Sequence, residues 1–194
     1  MARQSLHDPA GILDAARSVV LDGGPRAATV AAIAGASGAP TGSIYHRFGS
    51  RETLLARLWI RAAQGSQERF LEAMRAEPDP EEATVAAALS IFDFTRDAFP
   101  DARLLASLRR EDLVGAAANA ELELLNAPIE EGVRELARRL GGAAPEEVAL
   151  AALDLPHGAV RRHLVAGRRP PERLRRPVEL AVRAVVHDIT RRST

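Results

Sequence analysis

The sequence predicts an all-α protein, and three observations carry that prediction. Apolar residues recur at three- and four-residue steps through almost every segment, the period of one buried helix face. The composition is 46% hydrophobic but only 4% aromatic. A core must therefore be built from Ala, Leu and Val, and alanine is the strongest helix former. No segment of useful length alternates apolar and polar residues as a half-buried strand does. At 194 residues the chain can bury one large core or two small ones.

The first helix starts at Asp8-Pro9, an acid able to cap followed by a proline whose missing N–H costs nothing in a first turn. Ile12, Ala15, Ala16, Val19 and Val20 form its stripe, and Asp22-Gly23-Gly24-Pro25 ends it. Thr29 is the next cap, ahead of Val30, Ile33 and Ala34 in a short helix punctuated by Gly35, Gly38 and Pro40. A second short helix runs from about Thr41 to Phe48.

Ser50 caps a longer helix with Glu52 in its first turn and the stripe Leu54, Leu55, Leu58, Trp59, Ala62, Phe70, Leu71 and Met74. Asp79-Pro80-Glu81-Glu82 opens another, carrying Val85, Ala88, Leu89, Phe92 and Phe99 up to Pro100. Further helices are expected over about 101–108, 116–140, 145–166 and 171–190, with Pro156-His157-Gly158 interrupting the third of these. The style changes near Ser50, from short helices with tight turns to long ones. That gives two units, residues 1–50 and 51–194, and about nine helices in all.

Charge and composition exclude several classes of function. The 26 basic residues, every one an arginine, balance 26 acids. Zero net charge argues against wholesale electrostatic binding of nucleic acid but leaves room for a small reading head on a neutral body. The absence of cysteine excludes a disulfide framework, a thiolate nucleophile and a cysteine zinc site. His7, His46, His157, His163 and His187 form no metal-ligand pattern, and no metal or other cofactor is expected. No apolar run approaches the ~20 residues of a membrane span and no signal-peptide region is visible, so the expected compartment is the cytoplasm.

The chemistry concentrates in Thr29 to Phe48, TVAAIAGASGAPTGSIYHRF. Two short helices around a glycine turn fit a helix-turn-helix, whose second helix enters the DNA major groove. Ile33, Ala34, Ile44 and Phe48 would pack inward. Thr41, Gly42, Ser43, Tyr45, His46 and Arg47 would face outward, where hydroxyls, a histidine and an arginine suit phosphate and base-edge contacts. The same geometry also joins αα-hairpins with no role on DNA.

Ile33-Ala34, Gly38, Gly42-Ser43-Ile44-Tyr45-His46-Arg47-Phe48, Ser50-Arg51 and Leu54-Leu55 together resemble the DNA-binding domain of the tetracycline-repressor (TetR) family of transcriptional regulators. The resemblance covers the first quarter of the chain; beyond it only length, helix count and order agree. It implies that Thr41, Ser43, Tyr45 and His46 touch bases or phosphates, and that Thr29 or Val30 sets the preceding helix N-terminus near a phosphate. Arg51 would clamp the DNA backbone. The chain departs from the pattern at Ala31, where a polar or basic residue is common, and at Pro40, which lacks an N–H. Residues 1–55 hold five arginines against four acids, a net charge of +1. Such a weakly basic head implies a modest salt dependence and affinity that depends on dimerisation.

The resemblance further implies a homodimer through the last two helices. Leu153, Val160 and Leu164 on one and Val178, Ala181, Val182, Val185 and Ile189 on the other are the expected contacts. A twofold dimer would read a near-palindromic operator in double-stranded DNA. A small-molecule effector, expected to be apolar or aromatic, would lie among the middle helices. Its candidate lining is Trp59, Phe70, Met74, Phe92, Phe94, Leu105 and Leu125, with Asp93, Arg109, Asp154 and His157 as polar groups. The leading expectation is thus a dimeric regulator, most often a repressor in this family, released from DNA by its effector. The alternatives are a helical binding or scaffold protein with degenerate DNA recognition, or a helical enzyme. No phosphate loop, carboxylate pair or nucleophile elbow supports the last.

Overall fold

A computed structural model describes residues 8–108, 113 and 116–193. Helix α1 (Pro9–Gly23) starts with Pro9 in its first turn, but Asp8, at the N-cap, makes no side-chain capping bond. Gly24, at φ 78°, ends it. Helix α2 (Val30–Ser37) is capped by the Thr29 hydroxyl, which accepts from Ala32 N–H at 3.1 Å. Gly38 then takes the left-handed conformation, φ 69° and ψ 4°, which costs glycine nothing and any other residue about 1–2 kcal/mol. Helix α3 (Thr41–Phe48) follows and ends at Gly49, φ 74°.

These three helices share one core with the helix after them. Ile12, Ala16 and Val20 of α1, Ile33 of α2, and Ile44 and Phe48 of α3 are buried together with Leu54, Leu55 and Leu58 of α4 (Arg51–Ala76). Leu104 and Leu108 join the same cluster from further along the chain. Ser50 caps α4 as expected, its Oγ accepting from Thr53 N–H at 3.1 Å.

Helix α5 (Pro80–Asp97) begins with Asp79 accepting from Glu82 N–H at 2.9 Å and packs along α4. It ends at Asp97, and Pro100 belongs to the first turn of α6 (Phe99–Ser107). The proline thus opens a helix where the sequence reading had it close one, and Phe99 belongs to α6. Helix α7 (Ala116–Arg139) contains Pro128, and Gly141 and Gly142, at φ 81° and 82°, turn the chain after it.

The next helical segment has three parts: α8 (Pro145–Ala149), a single π-helical turn (Leu150–Asp154), and α9 (Leu155–Val165). Pro156 explains the widened turn, since its ring would collide with the carbonyl four residues back and it has no N–H to offer. The interruption therefore falls just before Pro156-His157-Gly158, and the axis continues through those residues. Helix α10 (Arg175–Ser193) packs on α5. A second core joins Phe70 and Met74 of α4 to Val133 and Leu136 of α7 and to Val178, Val182 and Val186 of α10. The described residues contain no strand, and none of their helices is long and apolar enough to cross a membrane.

Candidate nucleic-acid interface and ligand cavity

Ile44 and Phe48, 1% and 6% exposed, fix the roll of α3, because residues four apart share one helix face. The opposite face then carries Thr41, Gly42, Tyr45, His46 and Arg47, all exposed, with Ser43 half-buried beside them. Tyr45 is 51% exposed, well out in water for the only tyrosine of the chain. A Cβ on Gly42 would meet nothing within 4 Å, so the backbone there lies open to close approach. In the first turn of a helix the amides lack a carbonyl partner; Pro40 offers no N–H, so those of Thr41 and Gly42 are the ones α3 presents. Gly42, Ser43, His46 and Arg47 also line a shallow groove completed by Pro9, Phe48 and Arg57.

The start of α2 is arranged differently. The Val30 side chain is buried, 7% exposed, so only its backbone can serve a phosphate. The Thr29 hydroxyl is exposed but engaged as the cap. Arg51 departs most from expectation. Its Nε donates to the Ala28 carbonyl at 2.8 Å and its Nη2 to the Pro25 carbonyl at 2.5 Å, with Glu52 alongside at 3.4 Å. The guanidinium ties the turn after α1 to the start of α4, and the fork that a phosphate would need is occupied from within. Arg26 and Arg47, in contrast, have no acidic partner within 4 Å among the described residues.

The middle helices enclose a cavity of about 490 Å³, within the ~300–1,000 Å³ typical of small-molecule sites. Of the candidate effector residues, Trp59, Phe70, Phe94, Leu105, Asp154 and His157 line it. Met74, Phe92 and Leu125 do not; they are buried in the packing around it. Phe92 and Phe94 lie two residues apart on α5, so roughly opposite faces carry them and only one can reach the space. Asp93 is also excluded: both its oxygens accept from Arg175 at 3.1 Å. Arg109 lies outside the described residues.

Three residues expected at a subunit interface, Leu153, Val160 and Leu164, instead line the cavity. The sequence reading also missed Ser66, Gln67 and Asn126, neutral polar residues on α4 and α7 that line it. Ser66 and Gln67 stand seven and eight residues after Trp59, so the helical repeat from that one aromatic pointed to them. The π-helical turn supplies Leu153 and Asp154 directly. His157, one turn on, donates from Nδ1 to the Leu153 carbonyl at 2.9 Å. In its neutral form that leaves Nε2 as an acceptor. Loss of hydration holds the imidazolium of His157 below its ordinary range, outweighing the opposite pull of the Leu153 carbonyl and Asp154.

Of the other expected interface residues, Val178, Val182 and Ile189 are buried within this chain, at 7%, 0% and 1% exposure, and Val185 packs on the second core. Ala181 is exposed, and with Leu180, Ala184 and His187 it forms the outward face of α10. Leu180 is 51% exposed, and Leu150 and Val165 on the preceding helical segment are 45% and 59% exposed. Within this chain the valines hold α10 to its own core, and Leu180, Ala181 and Ala184 face outward.

Residues 12–58, from α1 into the first turns of α4, match the family model of the bacterial regulatory proteins of the tetR family. No curated protein matches the chain. Solved structures match nearly its whole length. The fatty acid degradation regulator FadR from Bacillus halodurans has TM-score 0.67 at 20% identity, over 90% of this chain and 97% of that one. A TetR family transcription regulator from Marinobacter aquaeolei has TM-score 0.71 at 16% identity, over 91% and 94%. The TetR family regulator PfmR from Thermus thermophilus has TM-score 0.60 at 24% identity, over 93% and 97%.

Proposed function

We infer that this chain, which carries a TetR-like N-terminal DNA-binding domain on a helical C-terminal domain, is a transcriptional repressor of the bacterial cytoplasm. It reads a near-palindromic operator as a homodimer and leaves it when a small molecule fills the cavity. The observation that carries this reading is a pair of adjacent residues on α6. Leu104 is fully buried in the core of the DNA-binding head, while Leu105 lines the cavity.

Ala102, Leu105 and Ala106 turn one side of α6 to the cavity. The other side is fastened to α1: Asp101 accepts from Arg17 at 2.6 Å, and Arg103 donates to the Leu21 carbonyl at 2.8 Å. A ligand that moves α6 therefore moves the head against α4. In a twofold dimer that changes the separation of the two α3 helices, which must sit about 34 Å apart to enter successive major grooves. Release requires that the ligand bind the DNA-incompetent arrangement more tightly than the competent one.

Thr41, Ser43, Tyr45 and His46 set sequence preference in this reading, and Arg47 with the free amides of α3 holds phosphates. The outward faces of α9 and α10, with Leu180, Ala181 and Ala184, meet their copies across the twofold. The apolar lining and its aromatic rings favour an apolar or aromatic effector. The boundary between the two domains falls at the start of α4.

The test is selection of bound sequences from a random DNA pool at moderate salt. Enrichment of an inverted repeat is the expected result. A folded dimer that enriches nothing, even after unfolding and refolding to strip a copurified ligand, would overturn the assignment.

A further inference from the structure

The cavity has two ends of unlike character. Its body is apolar, walled by Trp59, Phe70, Phe94, Ile91 and Leu105. Along α9 its lining runs from Asp154 through His157 to Arg161, residues at helical spacing on one face. Arg161 makes no hydrogen bond or ion pair with any described residue. Asp154 borders the same cavity but makes no ion pair with Arg161.

The surroundings of Arg161 reinforce its sign. Arg162 follows it directly, and the field at His163 is that of Arg162, Arg168 and Arg173 together. Glu172, the acid of that stretch, is engaged by Arg96. Arg161 is exposed to water at the rim of the cavity; with no acid among the described residues engaging it, its guanidinium is free to take a carboxylate in charge-assisted hydrogen bonds. Val160 and Leu164, on either side of Arg161 in the chain, pack in one cluster with Ala102 of α6. The anion would thus be held at the end of the cavity nearest the helix that is fastened to α1.

We propose that the effector is an apolar monocarboxylic acid, its hydrocarbon body in the Trp59–Phe70–Phe94 chamber and its carboxylate on the Arg161 guanidinium. This rests on the cavity being the effector site, and it adds the charge and orientation of the ligand. Arg161 is a specificity residue: it selects the anion, while the apolar walls supply affinity for any molecule of the right length.

Trp59 is the only tryptophan of the chain and lines the cavity, so its fluorescence reports occupancy without a label. The experiment titrates the full-length protein and its Arg161→Gln variant with decanoate, decan-1-ol and decylammonium, each below micellar concentration. Thermal melts confirm that both proteins are folded. Decanoate should bind the parent protein about tenfold or more tightly than the alcohol. Arg161→Gln should remove that preference and leave alcohol binding unchanged. Equal binding of acid and alcohol, a preference that survives in Arg161→Gln, or tightest binding of the ammonium would each overturn the carboxylate assignment. If none of the three perturbs Trp59, the cavity is not an apolar-ligand site, and the effector part of the proposed function falls with it.

Discussion

Arg17 and Asp101, 84 positions apart in sequence, meet at 2.6 Å with 27% and 28% of their side chains exposed. They pin the middle of α1 to the first turn of α6. An ion pair of this exposure contributes little to stability, about 0.5–1 kcal/mol, yet it fixes the position of a DNA-binding helix against a cavity wall. Asp101→Asn should therefore lower stability by no more than about 1 kcal/mol. Operator affinity without ligand should persist, and the ligand concentration needed to release DNA should rise. Band-shift titrations with and without a releasing ligand check this; unchanged release would remove the pair from the coupling.

Arg47 and Arg51 should behave differently although both are arginines of the head. Arg47→Ala removes an exposed cation of α3, so operator affinity should fall, and the slope of log K against log salt should lessen by about 1. Arg51→Ala takes the side-chain donor from the Ala28 carbonyl and leaves the Pro25 carbonyl only its bond from Ala28 N–H at 3.3 Å. It should cost about 1.5–3 kcal/mol of stability with the salt slope unchanged. Chemical denaturation beside salt-dependent binding separates the two roles.

Tyr45→Ala should abolish operator binding while leaving stability within about 0.5 kcal/mol, because the side chain stands 51% exposed on the outward face. Gly38→Ala should do the reverse first. It places a Cβ on a residue at φ 69° and should cost about 1–2 kcal/mol of stability, weakening binding only as the turn distorts. Denaturant midpoints and fluorescence anisotropy on labelled operator give both quantities.

His157 sets a pH dependence of definite sign. Its imidazole pKa is depressed in the folded protein, chiefly by loss of hydration, so the unfolded chain takes up its proton first as pH falls. Its contribution is complete above the unfolded value of about 6.5 and is lost as pH drops from there through the folded value. His163 is shifted the same way, by burial first and then by its arginine neighbours. The informative quantity is thus the difference between parent and His157→Gln. Between pH 7.5 and 5.5 the melting temperature of the parent should fall more steeply than that of the variant; parallel curves would contradict the assignment.

Much of the head was legible because local chemistry dictates it. Thr29 and Ser50 cap, Gly38 takes the turn, and Ile44 with Phe48 fixes which side of α3 faces out. The intramolecular bonds of Arg51 were not legible, because the sequence does not show that the chain brings the Pro25 and Ala28 carbonyls within its reach. The C-terminal helices were legible as helices, but not which of their faces packs within the chain. An Ala- and Val-rich helix such as α10 has apolar residues on both its buried face (Val178, Val182, Val186) and its outward face (Ala181, Ala184), so periodicity alone leaves its roll open. The cavity lining suffered similarly: Leu153, Val160 and Leu164 carry an ordinary core signature, and only the packing of five helices shows that they border a space. The π-helical turn shifts the phase of α9 after Ala149, which a regular 3.6-residue count cannot follow.

Coupling between the cavity and the head is tested most directly by the distance between the two heads of a dimer. The chain has no cysteine, so Ala36→Cys on the exposed face of α2 accepts one spin label per subunit. The label-to-label distance is then measured in this protein and in the same protein carrying Ala106→Phe, which places a phenyl ring in the cavity from α6. A shift of the distribution by several ångströms, together with weaker operator binding in the filled variant, is the expected result. Superimposable distributions in a folded dimer, with operator affinity unchanged, would contradict the coupling.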